Sequence, residues 1–152
     1  VVGALPKSLD KDKYDVRVVI PDYTSIPQKY RSRFSYLDSF YMDLGELGNF
    51  YVGIMTCEFD GIRYYYIDNE HFFQGERLYS DILWDIQKFS FFSKAVLSML
   101  PFFASFEKKK ISRVLCQEFG MVFVAFPCAF ICSEFLVRSV IIGKHVRSCP
   151  TI

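Results

Sequence analysis

Asp60-Gly61 constrains this chain more than any other pair of residues in it. A type I′ turn needs positive φ at both central positions, which Asp tolerates and Gly favours. Runs of strand-type residues flank the pair, Phe50 to Phe59 before it and Ile62 to Ile67 after it. Phe50–Ile67 therefore reads as a β-hairpin. Asp15 to Ile20 reads as a β-branched strand ended by Pro21, and Tyr36 to Leu44 as a further extended segment. At the start, Val1, Val2, Leu5 and Leu9 lie close to a helical spacing, with Pro6 tolerable near a first turn.

From Ser80 the period changes from two to 3.6. Ile82, Leu83, Ile86, Phe89, Phe92, Val96, Leu97 and Leu100 make an apolar stripe. The stripe predicts a helix over Asp81–Leu100, capped by Ser80 or Asp81 and stopped by Pro101. Strand, hairpin and long amphipathic helix together give an α/β class, a Rossmann-like half-domain. Neither G-x-G-x-x-G nor G-x-x-x-x-G-K-[ST] occurs, so the dinucleotide and P-loop readings lack their carriers. His71 and His145 are the only two histidines and lie far apart, which speaks against a His-based metal site. The residues call for no metal and no cofactor.

At 152 residues the chain fits one ordinary domain, and 51% apolar residues suffice for a core. A net charge of +1 removes the basic excess that nucleic-acid binders show. Five Cys without a CxxC pair give no zinc or disulfide framework and read as reduced thiols of a cytoplasmic protein. The chain opens Val1-Val2-Gly3 without Met, so its start is expected upstream. No basic run followed by an apolar run marks a signal peptide.

Composition breaks near residue 100. Every Tyr lies at or before Tyr79 and every Asp at or before Asp85, while Cys116, Cys128, Cys132 and Cys149 fall in the last third. The division expected is residues 1–101 as one domain and 102–152 as an apolar and basic tail, irregular or helical and poorly packed. Within the tail, Phe119 to Ser133 carries no charge. That stretch is shorter than the roughly 20 residues a spanning helix needs, and Pro127 interrupts it. A membrane-associated tail is one reading. A reading-frame or gene-model artefact is the preferred one, because the loss of Asp and Tyr and the gain of Phe and Cys begin together.

Four strings carry a family resemblance. Val1-Val2-Gly3-Ala4-Leu5-Pro6-Lys7-Ser8-Leu9 resembles the first helix of bacterial glycogen synthases and plant starch synthases. Asp15 to Tyr23 is similar to that family's second strand and turn. Tyr51-Val52-Gly53-Ile54 and Phe59 to Glu70 resemble its hairpin and following loop. Leu78 to Asp85 with Phe89 to Leu97 resembles its next loop and helix. The resemblance covers residues 1 to about 101. It implies the N-terminal half of a two-Rossmann-domain glycosyltransferase that moves glucose from ADP-glucose to the non-reducing end of an α-1,4-glucan, with retention. The family's K-T-G-G-L loop would precede Val1, and its P-D-[IV]-[IV]-H-x-[HN]-D-W-Q-T string is not found in residues 102–152. The chain is therefore expected to be inactive alone. The competing expectation is a non-catalytic remnant that binds glucan or is tethered to a membrane.

The resemblance places Tyr79 where the family has a substrate-contacting tyrosine. A phenol can hydrogen-bond a sugar or phosphate oxygen and stack on a ring. Asp68 and Asn69 end the hairpin where active-site loops leave an α/β sheet, and His71 follows in the same loop. These four are the candidate substrate-binding residues, and no catalytic residue is assigned. The Tyr64-Tyr65-Tyr66 run invites a sugar-platform reading, against the simpler one of alternating strand faces. Lys108-Lys109-Lys110 reads as a solvated turn.

Overall fold

The computed structural model describes residues 5–10, 14–75, 79–106, 113–117, 122–125 and 139–145. In chain order they form α1 (Leu5–Ser8), β1 (Tyr14–Pro21), α2 (Gln28–Arg31), β2 (Ser35–Asp43), a 3-10 turn (Gly45–Leu47), β3 (Asn49–Phe59) and β4 (Ile62–Asp68). Then come α3 (Glu70–Phe73), α4 (Ile82–Phe106), β5 (Arg113–Gln117), β6 (Val122–Ala125) and β7 (Ser139–His145). The strands lie in one sheet in the order β2-β3-β4-β1-β7-β5-β6. Only β1 and β4 pair in parallel, Val19 opposite Tyr65; every other described pair is antiparallel.

The hairpin forms as its turn chemistry requires. Asp60 has φ 53° and Gly61 φ 71°, both left-handed. Phe59 pairs with Ile62 across the turn, which fixes the register up to Gly53 opposite Asp68. β2 adds to the outer edge of β3, with an irregularity between Tyr36 and Asp38.

Strand alternation divides the side chains between two faces. Met42, Val52, Ile54, Tyr65, Ile67 and Val19 share one face, and α4 covers it with Phe91, Phe92, Ala95, Val96 and Met99. Phe91 and Phe92 are fully buried. Each such side chain contributes about 1.5–3 kcal/mol, so this helix-on-sheet layer is the main source of stability.

Three expectations are corrected. Helix α4 does not stop at Pro101 but runs on to Phe106 with the proline inside it. Proline removes one N–H and crowds one carbonyl, and the helix tolerates the single lost bond. The apolar stripe is not all core: Ile82 is 76% exposed and Leu83 69%, and Ile86 and Leu97 are also exposed. Twenty-five helical residues span roughly 37 Å, whereas the seven residues of β4 span roughly 23 Å. The helix therefore overhangs the sheet: Ile82 and Leu83 of its first turn face solvent, while Trp84 of the same turn packs on Phe72 of α3. The opening segment is helical over Leu5–Ser8, and residues 1–4 lie outside the described residues. The tail, read as irregular or helical, continues α4 as far as Phe106 and is strand in its other described residues. β4 takes one edge of β1, and β7, with its β-branched Val140-Ile141-Ile142, takes the other. Most of the uncharged run Phe119–Ser133, and Lys108-Lys109-Lys110, lie outside the described residues.

Among the described residues no helix is long and apolar enough to cross a membrane. Cys57 is buried and free.

Candidate functional site

β1 and β4 run in parallel and end side by side, so the loops leaving them share one end of the sheet. Ligands of α/β folds bind at such carboxyl ends. Here the chain from β1 continues through Asp22, Tyr23 and Thr24, and the chain from β4 through Asp68, Asn69 and α3. Backbone and side-chain bonds tie the two loops. Asp22 N donates to Ile67 O at 2.9 Å, and Thr24 N to Phe73 O at 3.3 Å. Gly75 N donates to Thr24 Oγ1, which donates to Gly75 O, both at 3.2 Å.

Beside α3 and the start of α4 lies a pocket of about 340 Å³. Tyr23, Phe72, Phe73, Gln74, Gly75, Ser80, Trp84 and Lys88 line it. The Tyr23 and Phe73 rings meet edge to face at 5.7 Å, and Trp84 stacks on Phe72 at 5.7 Å. Lys88 is 3% exposed. Its Nζ lies 2.8 Å from Asp85 Oδ1 and 5.0 Å from the centre of the Phe89 ring. Asp85 also accepts from Ser80 N. Asp81 caps α4, its Oδ1 accepting from Leu83 N at 3.0 Å and Trp84 N at 3.1 Å. The pocket thus offers aromatic walls and a buried ammonium with a carboxylate counter-charge, a surface suited to a ring bearing hydroxyls.

None of the four sequence-derived candidates lines this pocket. Tyr79 stands beside it, half-exposed, its ring 6.3 Å from Phe89. His71 is exposed and packs against Phe50, Phe72 and Trp84 at 5.5, 4.8 and 5.2 Å. Asn69 is buried and occupied: its Oδ1 accepts from Phe72 N at 3.1 Å and its Nδ2 donates to Tyr51 O at 2.6 Å. It is the cap of α3. Asp68 projects from the other face of the sheet, the face of Gly53 and Tyr51. Burial pushes its carboxyl above the usual carboxylate range, Arg31 pulls it back, and Glu70 adds to the rise. The Tyr64-Tyr65-Tyr66 run is not a platform. Tyr65 is in the core and Tyr66 lies under Phe34, the rings 3.9 Å apart.

Asp22 is the group that sequence reasoning missed. Its side chain is 4% exposed, and its Oδ2 lies 3.1 Å from Arg31. Its Oδ1 is buried with no hydrogen-bond partner among the described residues. Burial raises its pKa more than the Arg31 guanidinium lowers it, and Asp68 raises it further. The pocket residues Tyr23, Trp84 and Lys88 were missed as well, because they come from separate stretches of chain. Among the described residues no group of three metal-ligating side chains gathers.

Comparison with known proteins gives one family. The model for the starch synthase catalytic domain matches residues 1–125. A glycogen synthase of Lachnospira eligens is 52% identical over 101 residues, 66% of this chain and 21% of that protein. Glycogen synthases of Lachnoclostridium phytofermentans and Clostridium kluyveri are 46% and 45% identical, each over 66% of this chain and 21% of theirs. The chain spans about a fifth of the length of these curated relatives. No solved structure matches it.

Proposed function

The chain belongs to the starch synthase catalytic domain family, and on that premise we propose that it is the N-terminal part of a glycosyltransferase of glycogen biosynthesis. The enzyme transfers glucose from ADP-glucose to the non-reducing end of an α-1,4-glucan. The observation that carries this reading is the family match over residues 1–125, which falls on the β1–β4 sheet and α4 and on the pocket at their carboxyl end. ADP is preferred to UDP because the chain resembles the bacterial and plant group. The free thiol of Cys57 fits the reducing cytoplasm.

Such a transfer must hold a departing diphosphate and orient a sugar that becomes oxocarbenium-like. Within this chain, the aromatic pocket and the Tyr79 phenol beside it provide the orienting part. His71 supports Trp84 from behind. Asn69 acts by fixing the loop that carries Phe72 and Phe73 into the pocket, and Asp68 offers a carboxylate to sugar hydroxyls on the other side of the sheet. The diphosphate needs cations and amides from the remainder of such an enzyme, since Lys88 is already engaged by Asp85.

The test is a chimera. Residues 1–101 of this chain replace the matching segment of the Lachnospira eligens glycogen synthase, and glucose transfer to glycogen is followed with ADP-glucose and UDP-glucose. Transfer from ADP-glucose, reduced on Tyr79→Ala, is expected. A folded chimera that prefers UDP-glucose, or one indifferent to Tyr79, overturns the donor or the site assignment.

A further inference from the structure

Asp85 stands behind the pocket rather than in it. It is not one of the lining residues, yet its carboxylate binds two of them, Ser80 and Lys88. Ser80 N donates to both carboxylate oxygens at 3.3 Å, and Ser80 Oγ to Oδ1 at 3.5 Å. Lys88 Nζ donates to Oδ1 at 2.8 Å. Trp84, a further wall, immediately precedes Asp85 in α4. Tyr79 immediately precedes Ser80, so the backbone that carries the phenol is fastened through the same carboxylate.

The helix does not need this arrangement. Asp81 already caps α4 by accepting from Leu83 N and Trp84 N, which supplies the acceptor a helix start requires. A carboxylate in the first turn is favoured by the helix dipole whichever way it points. Asp85 instead turns back to an N–H five residues earlier, outside α4. Its side chain is 17% exposed and that of Lys88 4%. Largely shut off from water, ammonium and carboxylate hold each other by a short, charge-assisted bond. Asp85 is thus fixed by Lys88 and in turn fixes Ser80.

We propose that Asp85 is the positioning residue of the pocket: it sets Ser80, and Tyr79 with it, in register with Lys88 and Trp84 before a ligand arrives. Each side chain that need not be ordered on binding is worth about two- to tenfold in affinity. That the ligand is a sugar rests on the glycosyltransferase reading.

The test uses the full chain and separates the acceptor from the charge. Asp85→Ala alone would strand the buried Lys88 ammonium, so the variants are built on Lys88→Met, which removes that charge. In this background Asp85→Asn keeps an oxygen for Ser80 N, and Asp85→Ala keeps none. A nuclear Overhauser effect between the Tyr79 and Phe89 rings, whose centres are 6.3 Å apart, reads the position of Tyr79. The fluorescence of Trp84, the chain's one tryptophan, reads the binding of maltose. Lys88→Met alone and together with Asp85→Asn should keep the ring contact. Lys88→Met with Asp85→Ala should lose it and bind maltose about three- to tenfold more weakly than Lys88→Met. Because Asp81 still caps the helix, circular dichroism should be the same for both double variants. A ring contact that survives Asp85→Ala overturns the proposal. So does a loss as large with Asp85→Asn, or one accompanied by loss of helix, which would make Asp85 merely structural. If maltose leaves the wild-type fluorescence unmoved, the sugar reading of the pocket fails, while the ring contact still decides the role of Asp85.

Discussion

The buried Asp22 carboxyl should make the stability of this domain depend on pH. Burial, the largest influence, raises its pKa above the ordinary 3.8, and burial likewise raises that of Asp68. A carboxyl whose folded pKa exceeds its unfolded one binds its proton more tightly when folded. Its contribution is most favourable below the ordinary value and is lost as pH rises through the folded value. Stability should therefore fall as pH climbs from about 4 towards neutrality, and Asp22→Asn should flatten that fall. Urea unfolding at several pH values reads this directly; an Asn variant as steep as wild type refutes it. Arg31→Ala strips the buried carboxylate of its partner and should cost about 1–3 kcal/mol near pH 7, and less as the pH falls and Asp22 takes up its proton. Neither effect was legible in the sequence, because nothing in Pro21-Asp22-Tyr23 announces burial. Asn69 was legible as a loop residue, but its two hydrogen bonds show that it holds the backbone.

At the scale of elements, what was local was readable. Asp60-Gly61 dictated the hairpin because the turn's φ angles depend on those two residues alone. Helix α4 was visible in its period, yet not in which turns are covered, since periodicity does not say where the sheet beneath ends. That distinction gives a paired prediction. Phe92→Ala, in the covered part, should cost about 3–5 kcal/mol and come close to unfolding the chain. Ile82→Gln, in the overhang, should change stability by less than about 0.5 kcal/mol. Thermal melts of both variants check it, and a large loss from Ile82→Gln would mean that Ile82 is packed after all. The pocket was not legible, since its wall gathers Tyr23, residues 72–75 and three positions around the start of α4. Their proximity exists only once β1 and β4 lie in parallel. The strands of the tail were hidden for the same reason, because a short apolar run becomes strand where an open edge, here that of β1, receives it.

For the whole molecule, the chain by itself should transfer no glucose. Transfer requires a diphosphate held by cations and amides and a cleft that closes over the sugar to exclude water. This chain spans about a fifth of the length of its relatives. Its described pocket has one ammonium, Lys88, whose charge Asp85 already meets at 2.8 Å. Lending that charge to a phosphate would take from the half-buried Asp85 carboxylate its one cation and leave it only the Ser80 hydrogen bonds, so the pair is poorly placed to stabilise a leaving group. Removing one preorganised donor from a charge-stabilising site costs about 10²–10³ in rate, and among the described residues the pocket offers no such set. Because groups that act as a unit are not additive, the pocket and Tyr79 should not retain a proportionate share of activity. They should retain at most the binding of a sugar ring at the pocket. The deciding measurement incubates the purified chain with labelled ADP-glucose and glycogen. The expected result is no label in the polymer above a no-protein control. Incorporation that Trp84→Ala abolishes would show that this single α/β layer carries out the transfer alone and would overturn the division of labour proposed between it and the rest of a longer enzyme.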